Sequence, residues 1–205
     1  MRQVNHALLH KMGPLAFADK GMIKLTMGFI YSEVERILKK YETRDPYKLL
    51  DEIGAVTIFS YEYSRDGLKG YSTILNRTMY AVINGNLREF EMSIAAGHEA
   101  AHLILHKHEI LSSPVKTMKD FYFFDNSGRY EREANSFLAD FLVSDEDVLE
   151  VVEREYMDYF SAARELYIPA PLFAFKLYSM MQRGFDVYNP VDLDSRFLGR
   201  DVDRW

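Results

Sequence analysis

The stretch AAGHEAAHLILH (95–106) sets His98, Glu99 and His102 inside a run of Ala, Leu and Ile that would otherwise make a plain buried helix. His98 and His102 stand at i and i+4, which on an α-helix is about 400° of rotation and ~6 Å of rise. Both imidazoles therefore leave one face a turn apart and can converge on one ion. Glu99 lies about 100° round from His98, too far to be a third ligand on that face but able to reach a water on the ion. Burying such groups uncompensated is costly. Two neutral nitrogen ligands with a carboxylate beside an open coordination position suit metal-assisted hydrolysis. A solvent-facing polar stripe is the plain alternative.

The chain has no cysteine, so a metal must be held by His and carboxylates. A catalytic zinc site takes three protein ligands and leaves the fourth position to water. His108 has the spacing of a third histidine in an H-E-x-x-H-x-x-G-x-x-H pattern, but Leu105 stands where that pattern has Gly. His106 reads as a helix-end residue favourable to the C-terminal dipole. The better candidates lie in YEREANSFLADFL (130–142), where Glu131 and Asn135 share a face and Ala134, Phe137, Leu138 and Phe141 form an apolar side. Glu131 can ligate while Asn135 orients a histidine. Glu133, about 200° round the helix from Glu131, is the alternative ligand.

Elements around the helix must position these groups. IYSEVERILKKY places Val34, Ile37, Leu38 and Tyr41 at helical spacing, and Asp45-Pro46 opens a short helix closed by Gly54. VTIFSYEY (56–63), YSTIL and TMYAVI (78–83) read as strands, joined through Gly67 and Gly70 and then by the tight Asn76-Arg77 connection. Together they predict a small antiparallel three-stranded sheet. Asn86 and Glu89 resemble a capping box opening the next helix at Leu87. TMYAVI, which leads into that helix, would hold a substrate as an added strand if it lay at the sheet edge; otherwise it is plain sheet core. Residues 107–130 read as a long irregular segment with the aromatic run FYFF (121–124) and the turn DNSG. DEDVLEVVEREY after Ser144, MDYFSAAREL, and PLFAFKLYSMMQR before Gly184 are helical patterns.

The 205 residues fit one compact domain or a domain with a small appendage, and 48% hydrophobic residues suffice for a sizeable core. A net charge of −6 argues against sequence-independent binding to nucleic acid. The last helical pattern carries only Lys176 and Arg183 as cations, poor equipment for reading bases. No apolar run approaches the ~18–20 residues of a membrane span. His6, His10 and Lys11 interrupt the apolar N-terminus, which does not read as a signal peptide. A soluble, cytoplasmic protein with no direct nucleic-acid or membrane partner is expected.

HEAAH followed by EREAN-x-FLADFLV resembles the ImmA/IrrE family of zinc metallopeptidases. RDPYKLLDEIGA looks like that family's opening helix, and LKGYSTILNRTMYAVINGNLREFEMSIAAGHEAAHLILH resembles its hairpin and active-site helix. SDEDVLEV corresponds to the stretch after the glutamate helix. Ala101 replaces the common Gly before the second His. The resemblance covers about residues 30–185 and implies an α+β fold, its small antiparallel three-stranded sheet packed on a zincin-type helix with a mostly helical C-terminal part. Residues 1–28 read as an extension of unassigned role, 29–143 as the zincin-like core, and 144–205 as a helical subdomain of helix-turn-helix proportions with a tail. The resemblance further implies one Zn2+ per chain held by His98, His102 and Glu131, with Glu99 as catalytic glutamate; an oxyanion also needs a donor, for which the sequence offers Tyr122, Tyr130 or a histidine without choosing among them. The implied activity is site-specific cleavage of a protein partner, typically a helix-turn-helix repressor of a phage, mobile element or stress regulon. Two other readings stand beside it: a metal-holding regulator that sequesters its partner uncut, and a DNA- or protein-interaction module.

Overall fold

The structure, a computed structural model, describes residues 20–114, 116–120, 124 and 128–190, with side chains from Met27 onward. The extension before residue 20, the tail after 190, Tyr122, the first three residues of FYFF and residues 125–127 lie outside the described residues.

Helix α1 (Lys20–Tyr41) begins well ahead of Ile30, where the apolar periodicity sharpens, and it buries Ile30, Val34 and Ile37. Asp45 caps α2 (Pro46–Glu52), its carboxylate accepting from the Tyr47 and Lys48 amides at 2.8 and 3.3 Å. Pro46 at the first turn gives up an amide that has no helical partner there.

The sheet departs from the expected three antiparallel strands. It has four, β1 (Ala55–Ser60), β2 (Gly70–Leu75), β3 (Thr78–Asn84) and β4 (Thr117–Asp120), in the mixed order β1-β3-β2-β4. Asn76 and Arg77, at φ 49° and 69°, make the two-residue turn between β2 and β3 that right-twisted strands favour. β1, however, lies parallel to β3 from Ala55↔Met79 to Ser60↔Asn84. The physical reason is the connection after Ser60. Asn84 Nδ2 donates to the Ser64 and Leu68 carbonyls at 2.8 and 2.9 Å, and Asn86 Nδ2 to those of Tyr61 and Tyr63 at 3.2 and 2.8 Å. These amides pin residues 61–68 across the end of β3, so β1 falls on its far side. β3 is thereby internal, with Ala81, Val82 and Ile83 buried. It is sheet core and offers no free edge to a substrate.

β4 pairs antiparallel with β2, from Gly70↔Asp120 to Thr73↔Thr117. It and α4 (Lys107–Ser112) lie within the segment read as irregular. The central helix α3 (Glu89–Leu105) starts after Arg88, whose amide donates to Glu91 Oε2 at 2.9 Å, so the box is formed by Arg88 and Glu91 and not by Asn86 and Glu89.

α5 (Arg129–Leu142) stands between two apolar cores. Phe137 and Phe141 face one, shared with Ile30, Val34, Leu49 and Ile83; Leu138 and Ala139 face the other, shared with Val148, Leu172 and Phe173. The second is closed by α6 (Asp145–Val152), α7 (Tyr159–Glu165) and α8 (Ala170–Arg183). Gly184 ends α8 at φ +97°, a conformation that favours glycine.

Both cations of α8 are engaged inside the fold. Lys176, 1% exposed, sits 2.9 Å from Asp140 Oδ1 and 2.7 Å from Asp145 Oδ1, and Arg183 forks onto Asp145 at 2.5 and 2.7 Å. A helix so buried and so paired has no charge left for DNA phosphates. Among the described residues no helix is long and apolar enough to cross a membrane.

Lys176→Ala leaves Asp140 buried with much of its compensation removed, and should cost about 3–5 kcal/mol of stability in urea unfolding. Burial raises the Asp145 carboxyl, but hydrogen bonds from Arg183 and Lys176 outweigh it and hold it at about 2; burial likewise raises Glu91, and Arg88 and Arg65 bring it to about 2. Both lie below their ordinary values of 3.8 and 4.5. Their stabilisation is complete above those values and is lost as pH falls to about 2, so unfolding free energy should drop across that window. Asp145→Asn should flatten the drop.

Candidate metal centre

α3 carries His98, Glu99 and His102 into the interior, with His106 at its C-cap, and all four are buried. Close packing of α3 on α5 is set by Gly97, where an added Cβ would come within 2.4 Å of Leu138 Cδ1. The helices therefore approach nearly backbone to side chain, which brings Glu131 of α5 over the two histidines. Its Oε2 is 3.1 Å from His98 Nε2 and its Oε1 3.5 Å from His102 Nε2, while the two Nε2 atoms are 3.0 Å apart.

A fourth group, Asp120 at the end of β4, completes the cluster: Oδ1 is 3.6 Å from His98 Nε2 and Oδ2 is 3.9 Å from His102 Nε2. One donor atom from each of His98, His102, Asp120 and Glu131 can be chosen so that all lie within 4.8 Å of one another. Tetrahedral zinc with bonds near 2.1 Å separates its ligands by ~3.4 Å, and the measured separations scatter about that edge length. Two imidazoles and two carboxylates are also the donor chemistry zinc takes in the absence of thiolates. The residues fit such an ion.

The electrostatics ask for a cation too. Burial pushes His98 down, yet the Asp120 and Glu131 carboxylates outweigh it and raise it to about 10, so a proton stands on His98 in the metal-free protein. His102 is lowered, chiefly by burial. Glu99 is raised by burial and by the Asp120 charge beside it. Its Oε1 lies against Gly70, where an added Cβ would come within 2.6 Å, so the glycine makes room for the carboxyl.

His106 is the C-cap of α3, the helix end at which the sequence puts it, and its side chain takes on a further task together with Glu133, which is not in the cluster as an alternative ligand. His102 Nδ1 is 2.9 Å from His106 Nδ1, His106 Nε2 is 3.0 Å from Glu133 Oε2, and Arg129 Nε donates to Glu133 Oε1 at 2.7 Å. A single tautomer pattern satisfies the chain. If His102 offers Nε2 to a metal, its Nδ1–H donates to His106, whose Nε2–H donates to Glu133. Such partners fix ring orientation and raise ligand basicity. Glu133 thus lies outside the four-residue cluster. His108 is not among its members either.

Asn135 is buried on α5 and lines the same cleft as His98, Glu99 and Asp120. The Tyr130 ring packs on His106 at a centroid distance of 4.9 Å. Phe124, the described residue of FYFF, is buried in the second core and also lines the cleft. Asp120 escaped the sequence reading. TMKD has no alternation to mark a strand, and no spacing links Asp120 to His98; only the pairing of β4 with β2 brings it in.

The family described as Peptidase_M78, the IrrE N-terminal-like domain, matches residues 56–178. A protein named uncharacterized immunity region protein 2, of Bacillus phage phi105, is 30% identical over 116 residues, which span 57% of this chain and 69% of that protein. No solved structure matches.

Glu133→Gln and His106→Ala should each lower zinc affinity about 10–100-fold. Chelator competition measures this, and an unchanged unfolding midpoint of the metal-free protein separates it from a loss of fold.

Proposed function

We propose that this chain, which belongs to the Peptidase_M78 family of IrrE N-terminal-like domains, is a zinc-dependent endopeptidase that cleaves a specific protein partner. The observation that supports it is the convergence of His98, His102 and Glu131 from two helices, with Glu99 buried beside them. In this reading these three residues hold one zinc ion and Glu99 is the catalytic residue. The bound ion supplies Lewis acidity, stabilising charge on the scissile carbonyl and acidifying a water.

Glu99 takes the proton from the attacking water and delivers it to the departing amine nitrogen. To act as a base it must be ionised, and a divalent cation in the neighbouring cluster offsets the burial and the Asp120 charge that raise it. Gly70 leaves Glu99 room without a side-chain wall behind it. The His106–Glu133 chain holds His102 in the tautomer that presents Nε2.

For the partner, the phage immunity-region relative supports a repressor-related protein; this reading takes it to be a helix-turn-helix transcriptional repressor of a mobile element, phage or stress regulon, met in the cytoplasm. A second reading, a metal-holding protein that sequesters its partner uncut, is favoured by one observation: Asp120 brings a fourth protein donor to the cluster, as in closed structural sites.

The test is incubation of the purified protein with a helix-turn-helix repressor from the same source, with and without chelator, and mass measurement of the products. Chelator-sensitive cleavage at one bond supports the peptidase; intact repressor in a stable complex supports the sequestering reading. Glu99→Gln should retain about one zinc per chain and lose activity by about 10²–10⁴-fold. Undiminished cleavage by that variant would remove Glu99 from the proposal.

A further inference from the structure

Asp120 exceeds what a hydrolytic site needs. His98, His102 and Glu131 supply three donors, and a working zinc keeps its fourth position for water. Yet Asp120 is buried, has oxygens 3.6 and 3.9 Å from the two histidine Nε2 atoms, and belongs to the set whose donors lie within 4.8 Å of one another. It also lines the same cleft as Glu99. An open corner of the ion on one side and the catalytic glutamate on the other are the two neighbours a reactive water would have. Asp120 Oδ2 and Glu99 Oε2 are buried without a hydrogen-bond partner among the described residues, an exception that an absent cation accounts for.

We propose that Asp120 is a fourth protein ligand that occupies the water's corner and holds the site closed, an inference that rests on the zinc-binding reading above. The strand that carries it is fixed. The Lys69 amide donates to the Asp120 carbonyl at 2.7 Å, and β4 is paired with β2 over its whole length. Opening therefore requires only that the Asp120 side chain swing off the ion while its backbone stays in place. The group that displaces it comes through the cleft that Ile94, Ala95 and Phe124 line together with Glu99 and Asp120. A peptide carbonyl or a small chelating anion entering there competes with the carboxylate for the same coordination position. The resting protein is latent, and its ligand exchange is governed by one rotatable side chain.

Cobalt(II) in place of zinc reports its coordination through its visible absorption. Wild type, Asp120→Asn and Asp120→Ala are loaded with cobalt and titrated with acetohydroxamate, and their zinc affinities are measured by chelator competition. Wild type should need at least about 10-fold more hydroxamate to change its spectrum than Asp120→Ala, and zinc affinity should fall about 10-fold or more in that variant. The near-isosteric Asp120→Asn should fall between them, and equal unfolding midpoints without metal show that all three are folded. Equal zinc affinity and equal hydroxamate response in the three metal-loaded proteins would overturn the role of Asp120 and leave zinc binding standing. Wild type that takes up no metal would overturn both.

Discussion

Charge taken out of water must be compensated where it stands, and this fold brings two imidazoles and three carboxyls together in its interior. That cluster is the constraint from which the architecture follows. α3 must be buried on every side to place His98 and His102 inward, so it is walled by the sheet, by α2 and by α5. Where the walls come closest the chain supplies glycine: Gly97 against Leu138, and Gly70 against Glu99. Compensation then proceeds outward in steps. The His102 ring leans on His106, His106 on Glu133, and Glu133 on Arg129, whose side chain is 71% exposed and ends the series in solvent.

The same rule operates a second time at the other end of α5. Asp140 is fully buried, and burial holds its carboxyl above the ordinary range although Lys176, Ser179 and Arg183 all act to bring it down. Here the cation is built into the chain as Lys176. In the first cluster the carboxylates raise His98, so that a proton or a metal can supply the balancing charge. The two clusters solve one electrostatic problem with different cations.

What could be read in the sequence was local spacing. The i, i+4 relation of His98 to His102, the turn at Asn76-Arg77, the caps at Asp45 and Ser144, and the apolar side of α5 each depend on residues within one turn or one hairpin, and each is found in the structure. What escaped depends on pairing between distant segments. β1 could not be assigned to the far side of β3 because the amides of Asn84 and Asn86, which dictate it, act on backbone carbonyls with no sequence signature. Asp120 reaches the cluster through a four-residue strand too short to announce itself. Spacing also ranked Glu131 ahead of Glu133, but only the close approach of α3 and α5 shows Glu131 over the histidine Nε2 atoms and Glu133 on His106.

α5 is shared by everything. It carries Glu131 near its start, Phe137 and Phe141 into one core, Leu138 into the other, and Asp140 into the lysine cluster. A helix moves as a rigid rod, so Glu131 cannot shift relative to the histidines without disturbing both cores at once. Geometry at the histidines is thus insulated from variation in the loops and in the sequence between β4 and α5. It is sensitive instead to any change that rolls or slides this one rod, including substitutions in α8 that never approach the site.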